Sequence, residues 1–227
     1  MPYVHQQGNV SILYLGEEGE QTSENRFHPD WLASIHSHLD DLEARSGPSA
    51  LVTTAAGKFY STGADLDWCA ANPDQVNAYL DEVQVLFARL LALPVPTVAA
   101  LQGHTFGAGA FLALAHDHKI MRSDRGFFCL PGINIGVHYT PGVLELAAAR
   151  LPVRAAHEAL LTGRRYGGQA ALELGIVEDV APADELLSRA VAHAESVAHT
   201  RGEVLGKIKR QLYARTLDAL RAPVGSY

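Results

Sequence analysis

The sequence predicts an α/β fold that becomes wholly helical in its last third. Three observations carry this reading. Strand-like and helix-like segments alternate up to about residue 130. The strands there are apolar at nearly every position, as in sheets covered on both faces. Beyond Pro141 the strand patterns almost vanish.

In order, "VSILYLG" is β-branched and alternating and reads as a strand, and the polar "EEGEQTSENRF" as a loop. From Pro29 to Arg45, the residues Trp31, Leu32, Ile35, Leu39 and Leu42 recur at helical spacing. "SALVTTAAG" is a second strand, and "KFYSTGADLDW" a loop with a helix starting at Asp65. Pro73–Leu93 places Val76, Leu80, Val83, Phe87 and Leu90 on one helical face, with proline at its start. "VPTVAALQG" is an apolar strand, followed by a glycine-rich turn and a short helix, "AFLALA", apolar on every side. "HKIMRSD" and "GFFCLPG" read as two more strands. Helices are expected over 141–150, 153–161, 167–174, 183–199 and 203–220, interrupted only by "GIVEDV". The domain reading is a core over 1–150 and a helical lobe over 151–227.

The chain of 227 residues is 48% hydrophobic and 19% charged, ordinary values for a globular protein. A net charge of −7 argues against nucleic acid or an anionic membrane as the main partner. No apolar run is long enough to span a bilayer. "MPYVHQQGNV" has no secretory character and "VGSY" is no peroxisomal or retention tag, so the expected location is cytoplasmic. Cys69 and Cys129 read as two free thiols.

The stretch "QGHTFGAGAFLALAHD" places Gly103, Gly107 and Gly109 ahead of a buried helix. It is no dinucleotide fingerprint, because Leu112 stands where the third glycine is needed, and no P-loop lysine exists. What it offers is a bare helix N-terminus in a low dielectric, suited to an oxygen that gains negative charge. "FYSTGADLDW" supplies a second turn, with Gly63 at the bend, Asp65 as N-cap and the Ala64 N–H pointing out. Two such donors converging on one carbonyl oxygen make an oxyanion hole.

"KFYSTGADL", "PTVAALQGHTFGAG", "FCLPGINIG" and "LLTGRRYGGQAALELGIVEDV", in this order and spacing, resemble the enoyl-CoA hydratase/isomerase family, the crotonase superfamily. "ENRFHPDWLASI" and "SDRGF" are similar to the plant-type Δ3,Δ2-enoyl-CoA isomerases. The resemblance implies a crotonase (Clp protease-like) spiral of β-β-α units in two nearly perpendicular sheets. It also implies a helical C-terminal lobe that builds homotrimers or homohexamers. The substrate it implies is an acyl-CoA thioester, with coenzyme A as part of the substrate and no further cofactor or metal. The hole donors map to the N–H groups of Ala64 and Ala108, or to Gly107 or Gly109 if the turn is shifted. Asn25, Thr62, Asp65 and Leu66 from the first half of the site fall along the substrate. So do Gly107, Phe111, Pro131 and Gly132 from the second. Lys58, Lys207 and Arg210 are the cations expected near the CoA phosphates, the last two lying off the apolar stripe Val204, Leu205, Ile208 and Leu212.

The family's acid positions are the weak point. Hydratases carry glutamates where this chain has Phe111 and Gly132, and another isomerase type carries an acid where it has Thr140. A positioned acid or base contributes about 10²–10⁴ in rate, so water addition is disfavoured and a one-base double-bond shift is easier to sustain. His138 and Tyr139 are the candidate bases, with Glu145, Asp67 and Glu82 as more distant acids. The favoured reading is an enoyl-CoA isomerase of fatty acid β-oxidation. The alternatives are a CoA-thioester-binding protein without catalysis, and a thioesterase- or decarboxylase-like member using the hole alone. His36 with His38, and His116 with His118, lack a third metal ligand and read as helix-surface and strand residues; Ser61 lacks a His–Asp pair for nucleophilic work. Leu186, Leu187, Val191 and Val197 suggest an apolar helical surface for assembly.

Overall fold

The computed structural model describes residues 1–226; Tyr227, the last residue of "VGSY", lies outside the described residues. The chain opens with an antiparallel pair, β1 (Tyr3–Gln7) and β2 (Val10–Tyr14), then β3 (Arg26–Phe27) and α1 (Pro29–Ala44). Next come β4 (Ala50–Thr54), β5 (Phe59–Ser61), β6 (Gly63–Ala64), α2 (Leu66–Ala71) and α3 (Val76–Ala92). The following turn is β7 (Thr97–Leu101), β8 (His104–Phe106) and α4 (Ala108–Leu114), and the next is β9 (His118–Arg122), β10 (Phe128–Cys129) and α5 (Gly132–Ile135). The remainder is α6 (Pro141–Arg150), α7 (Val153–Thr162), α8 (Gly168–Glu173), β11 (Asp179–Ala181), α9 (Leu186–Val197), α10 (Glu203–Leu212) and α11 (Ala214–Arg221).

The spiral is visible in the strand order. The large sheet runs β1-β2-β4-β7-β9-β11 and the small one β10-β8-β5, while β3 pairs with β6. Thus β4, β7 and β9 enter the large sheet in succession, and the strand after each, β5, β8 and β10, enters the small sheet. Every pair except β1–β2 is parallel. One face of the large sheet packs on the main core, with Leu13, Leu51, Ala99 and Met121 against α1, α3 and α4. The other face carries Val10, Val52, Val98 and Ile120 under α9. A strand covered on both sides is apolar throughout, which is why β4 and β7 are buried at every position.

α1 forms as its spacing predicts. Pro29 sits in the first turn, the His28 ring nitrogen accepts from the Asp30 N–H at 3.3 Å, and all five predicted apolar residues are buried. Three elements differ from the sequence reading. β1 reads polar because four of its five residues are exposed. The "KFYSTGADL" loop holds β5 and β6, too short to announce themselves and fixed by partners far away in sequence. The helix expected over 203–220 breaks at Tyr213 into α10 and α11.

The residues expected to make an assembly surface lie elsewhere. Leu186 and Val191 are buried under the large sheet, with Leu187 packed beside them. The exposed apolar side chains of this region are Val153, Leu161, Val204, Ile208 and Leu212. α10 turns Gly206 and Lys209 inward, and the Lys209 ammonium reaches Asp117 at 2.6 Å and the Val95 carbonyl at 3.1 Å. α11 packs Leu217 and Leu220 into the main core. Among the described residues, no helix is long and apolar enough to cross a membrane.

Candidate active site

Two turns meet at the site, and glycines let them touch. Gly63 has φ +89°, and a Cβ there would lie 2.5 Å from the Ala108 nitrogen. A Cβ on Gly109 would lie 2.6 Å from the Ser61 carbonyl oxygen. Any side chain at either position would push the turns apart.

Hydroxyl groups aim the first donor. The Gly63 N–H donates to Ser61 Oγ at 2.9 Å, and that hydroxyl donates to the Asn25 carbonyl at 2.8 Å. Two residues on, the Asp65 N–H donates to Tyr79 Oη at 2.8 Å, and Tyr79 donates to the Phe27 carbonyl at 2.8 Å. Both hydroxyls therefore bridge β6 to the β3 side. The neighbours of Ala64 on both sides thus have their N–H groups engaged, and Ala64 itself lines the cavity. On the second turn, the Gly107 N–H is already engaged with the Cys129 carbonyl at 3.1 Å. Ala108, the first residue of α4, brings its N–H to the cavity wall without an intrahelical partner.

A buried hydrogen-bond chain ties the two turns together from behind. Tyr60 Oη lies 2.7 Å from Thr53 Oγ1, which lies 2.9 Å from His116 Nε2, and His116 Nδ1 lies 2.8 Å from the Leu112 carbonyl. A carbonyl only accepts, so Nδ1 carries the hydrogen. Burial pushes the His116 pKa down to about 4, so the ring is neutral and Nε2 accepts from Thr53. Thr53 then accepts from Tyr60. Each direction is fixed, and the chain joins β5 to α4. His116 is thus a core residue in the bend between α4 and β9, where the sequence suggested a strand residue.

The cavity has a volume of about 160 Å³. Leu80, Val83, Phe87 and Val143 form its apolar wall, and Ile135, Val137 and His138 its outer lip. Thr62, Leu66, Gly107, Phe111, Pro131, Gly132 and Tyr139 also line it. Aromatic rings stand at or against both positions where the family resemblance places hydratase glutamates. Phe111 is buried and meets Tyr139 edge-on, with centroids 5.1 Å apart. A Cβ on Gly132 would lie 2.7 Å from the Tyr139 ring, whose hydroxyl accepts the Gly132 N–H at 2.7 Å. Burial pushes the Tyr139 pKa up to about 12, so its phenol keeps its proton at neutral pH. His138 is exposed at the lip.

Other expected residues stand apart from the cavity. Asn25 is buried, at φ +50°, and its side-chain N–H groups hold the Phe59 and Tyr60 carbonyls, both at 3.0 Å. Asp65 caps α2 through the Trp68 N–H. Both residues shape the first turn rather than line the cavity. Ser61 is fully buried, its hydroxyl committed to backbone groups. Lys58 lies over the Phe59 ring, Lys207 pairs with Glu203, and the Arg210 guanidinium lies close to Gly206. Asp67 pairs with Arg26, and Glu145 lies 3.3 Å from Arg215. Cys129 donates to the Gly163 carbonyl, and both cysteines are free thiols. Among the described residues, no group of three His, Cys, Asp or Glu could hold a metal ion.

Sequence reasoning missed Tyr79 and Gln84. Both lie on the buried face of α3. A glutamine amid buried Val83, Leu86 and Phe87 was the one readable signal.

The enoyl-CoA hydratase/isomerase family model matches residues 19–224. The chain belongs to that family. It is 37% identical over 224 residues to enoyl-CoA delta isomerase 2, peroxisomal, of Arabidopsis thaliana, covering 92% of this chain and 91% of that one. It is 34% identical over 220 residues to enoyl-CoA delta isomerase 3 of the same plant, covering 92% and 91%. The fold matches human mitochondrial delta3-delta2-enoyl-CoA isomerase with a TM-score of 0.87 at 22% identity, over 96% of this chain and 85% of that one. The chain is therefore a crotonase-superfamily enzyme of the enoyl-CoA isomerase/hydratase type.

Proposed function

We propose that this enzyme shifts the double bond of a 3-enoyl-CoA to the 2-position and adds water poorly. What supports the reading is a cavity lined by Ala64 and Ala108, the residues taken to supply the two backbone donors, with aromatic rings beside the positions where the family resemblance puts carboxylates. Without a carboxylate, Phe111 and Gly132 offer no side-chain acceptor to hold an attacking water. The hole needs no such group. It takes the thioester oxygen as charge builds on it, and each donor contributes roughly 3–4 kcal/mol to that state.

In this reading His138 removes a proton from the carbon between the thioester and the double bond. The electron pair spreads over the dienolate, whose oxygen the two N–H groups hold. The proton returns at the far end of the allylic system, leaving the conjugated 2-enoyl-CoA and neutral His138. Among the cavity-lining residues, His138 carries the ring nitrogens that can take up a proton. Tyr139, its protonated neighbour, is a donor and packing residue instead. Named isomerases among the relatives support the same direction. The outward-facing Val153, Val204, Ile208 and Leu212 support assembly into trimers, which light scattering will register as a mass near three times that of one chain. A double-bond shift of this kind fits a role in fatty acid β-oxidation.

The test is direct. Purified enzyme given a 3-enoyl-CoA should generate the absorbance of the conjugated thioester, while a trans-2-enoyl-CoA should persist in water. His138→Ala should lower turnover about 10²-fold or more. Unchanged turnover in that variant removes His138 from the mechanism. Binding without conversion by the wild type leaves the chain a thioester binder.

A further inference from the structure

We propose that Gln84 and Thr140 form a hydroxyl-binding subsite in the acyl pocket, selecting acyl chains that carry a hydroxyl group beyond the reacting carbons. The inference rests on the acyl-CoA reading above and adds a substrate class to it.

Gln84 lines the cavity from α3 and is 2% exposed. A buried amide is ordinarily fully hydrogen-bonded, because an unmet buried polar group costs about 1–3 kcal/mol. Here the Thr140 hydroxyl donates to Gln84 Oε1 at 2.7 Å, and Gln84 Nε2 is buried with no partner among the described residues. Exchanging the two ends of the amide does not remove the orphan; it turns an unmet donor into an unmet acceptor.

Thr140 is unusual in the same direction. It is the N-cap of α6, where a threonine hydroxyl ordinarily accepts from an N–H of the first helical turn. No such bond forms, and the hydroxyl is given to Gln84 instead. Its own lone pairs remain at the wall of the cavity it lines. Gly142 keeps the arrangement open, since a Cβ there would lie 2.3 Å from Gln84 Oε1.

The pair thus sets an unmet donor, Gln84 Nε2, next to an acceptor, Thr140 Oγ1; the amide nitrogen is itself buried, so it meets a ligand by turning towards the wall of Leu80, Val83, Phe87 and Val143. A hydroxyl matches both, since it accepts and donates at once. A plain methylene chain matches neither and leaves the amide unmet. Sites built to hydrogen-bond a substrate hydroxyl discriminate strongly against the analogue that lacks it, for this reason.

The experiment compares binding of hexanoyl-CoA with analogues hydroxylated at the fifth or sixth carbon, by calorimetry on the intact enzyme. The saturated chain prevents turnover. At least one hydroxylated chain should bind about tenfold tighter than hexanoyl-CoA or better. Gln84→Met and Thr140→Val should each erase the preference while still binding hexanoyl-CoA, and Thr140→Ser should keep it. Equal binding of all three thioesters by the wild type overturns the proposal and leaves the amide to hold a water. A preference that survives both Gln84→Met and Thr140→Val also overturns it. Failure of every thioester to bind would sink the acyl-CoA reading itself.

Discussion

The two ends of the cavity are built on opposite plans. At the two turns around Ala64 and Ala108 the proposed chemistry falls to backbone N–H groups, yet the side chains behind them are tightly committed. Ser61, Tyr79, Asn25, Thr53, Tyr60 and His116 all hold backbone or one another there. At the lip, Ile133, Ile135, Val137 and His138 are exposed, and that stretch is anchored by Tyr139 on Gly132 and Asn134 on Gly163. The difference suggests that the hole fixes the reaction and the lip and α3 wall fix which substrate arrives.

Substitutions at the hole should show the largest effect. Gly63→Ala places a methyl group against the Ala108 nitrogen, so turnover should fall about 10²–10³-fold, the cost of one hole donor. Circular dichroism must show the variant folded. A folded variant with full activity would detach the hole from the chemistry.

His116 sharpens the comparison through stability. Burial holds its folded pKa near 4, against an ordinary 6.5. The unfolded chain therefore takes up this proton first as pH falls. The contribution is intact above about 6.5 and is lost as pH drops towards 4. Urea unfolding should show the wild type losing about 2 kcal/mol more than His116→Gln between pH 7 and pH 5. Parallel pH profiles for the two proteins would break the chain from β5 to α4.

Tyr79→Phe removes one hydroxyl bridge without touching the cavity lining. Its kcat should fall about tenfold with KM little changed, since the loss belongs to the transition state. A change in KM alone would recast Tyr79 as a packing residue. At the lip, Val137→Ala should do the reverse, raising KM about two- to threefold at constant kcat.

Much of the hole was legible in the sequence because glycine punctuation is local. Gly63, Gly107 and Gly109 mark turns without reference to any distant residue; Gly63 pointed to the Ala64 N–H, and the family resemblance supplied Ala108. The supports behind them were not legible. The roles of Ser61 and Tyr79 exist only once β3 lies beside β6, a pairing of short strands far apart in sequence. The same limit explains β1, whose polar face hides a sheet edge, and Leu186 and Val191, whose apolar character read as an assembly surface before the large sheet was there to cover them. His138 and Tyr139 were chosen together as neighbours, and burial separates them: one stands at the exposed lip, the other is a phenol held protonated.

The central claim is that the Ala64 and Ala108 N–H groups polarise a thioester carbonyl. Infrared difference spectra of an acyl-CoA labelled with carbon-13 at that carbonyl test it most directly. Binding should shift the carbonyl stretch to lower wavenumber, and Tyr79→Phe should give back part of the shift. A stretch unmoved between free and bound thioester would contradict the account.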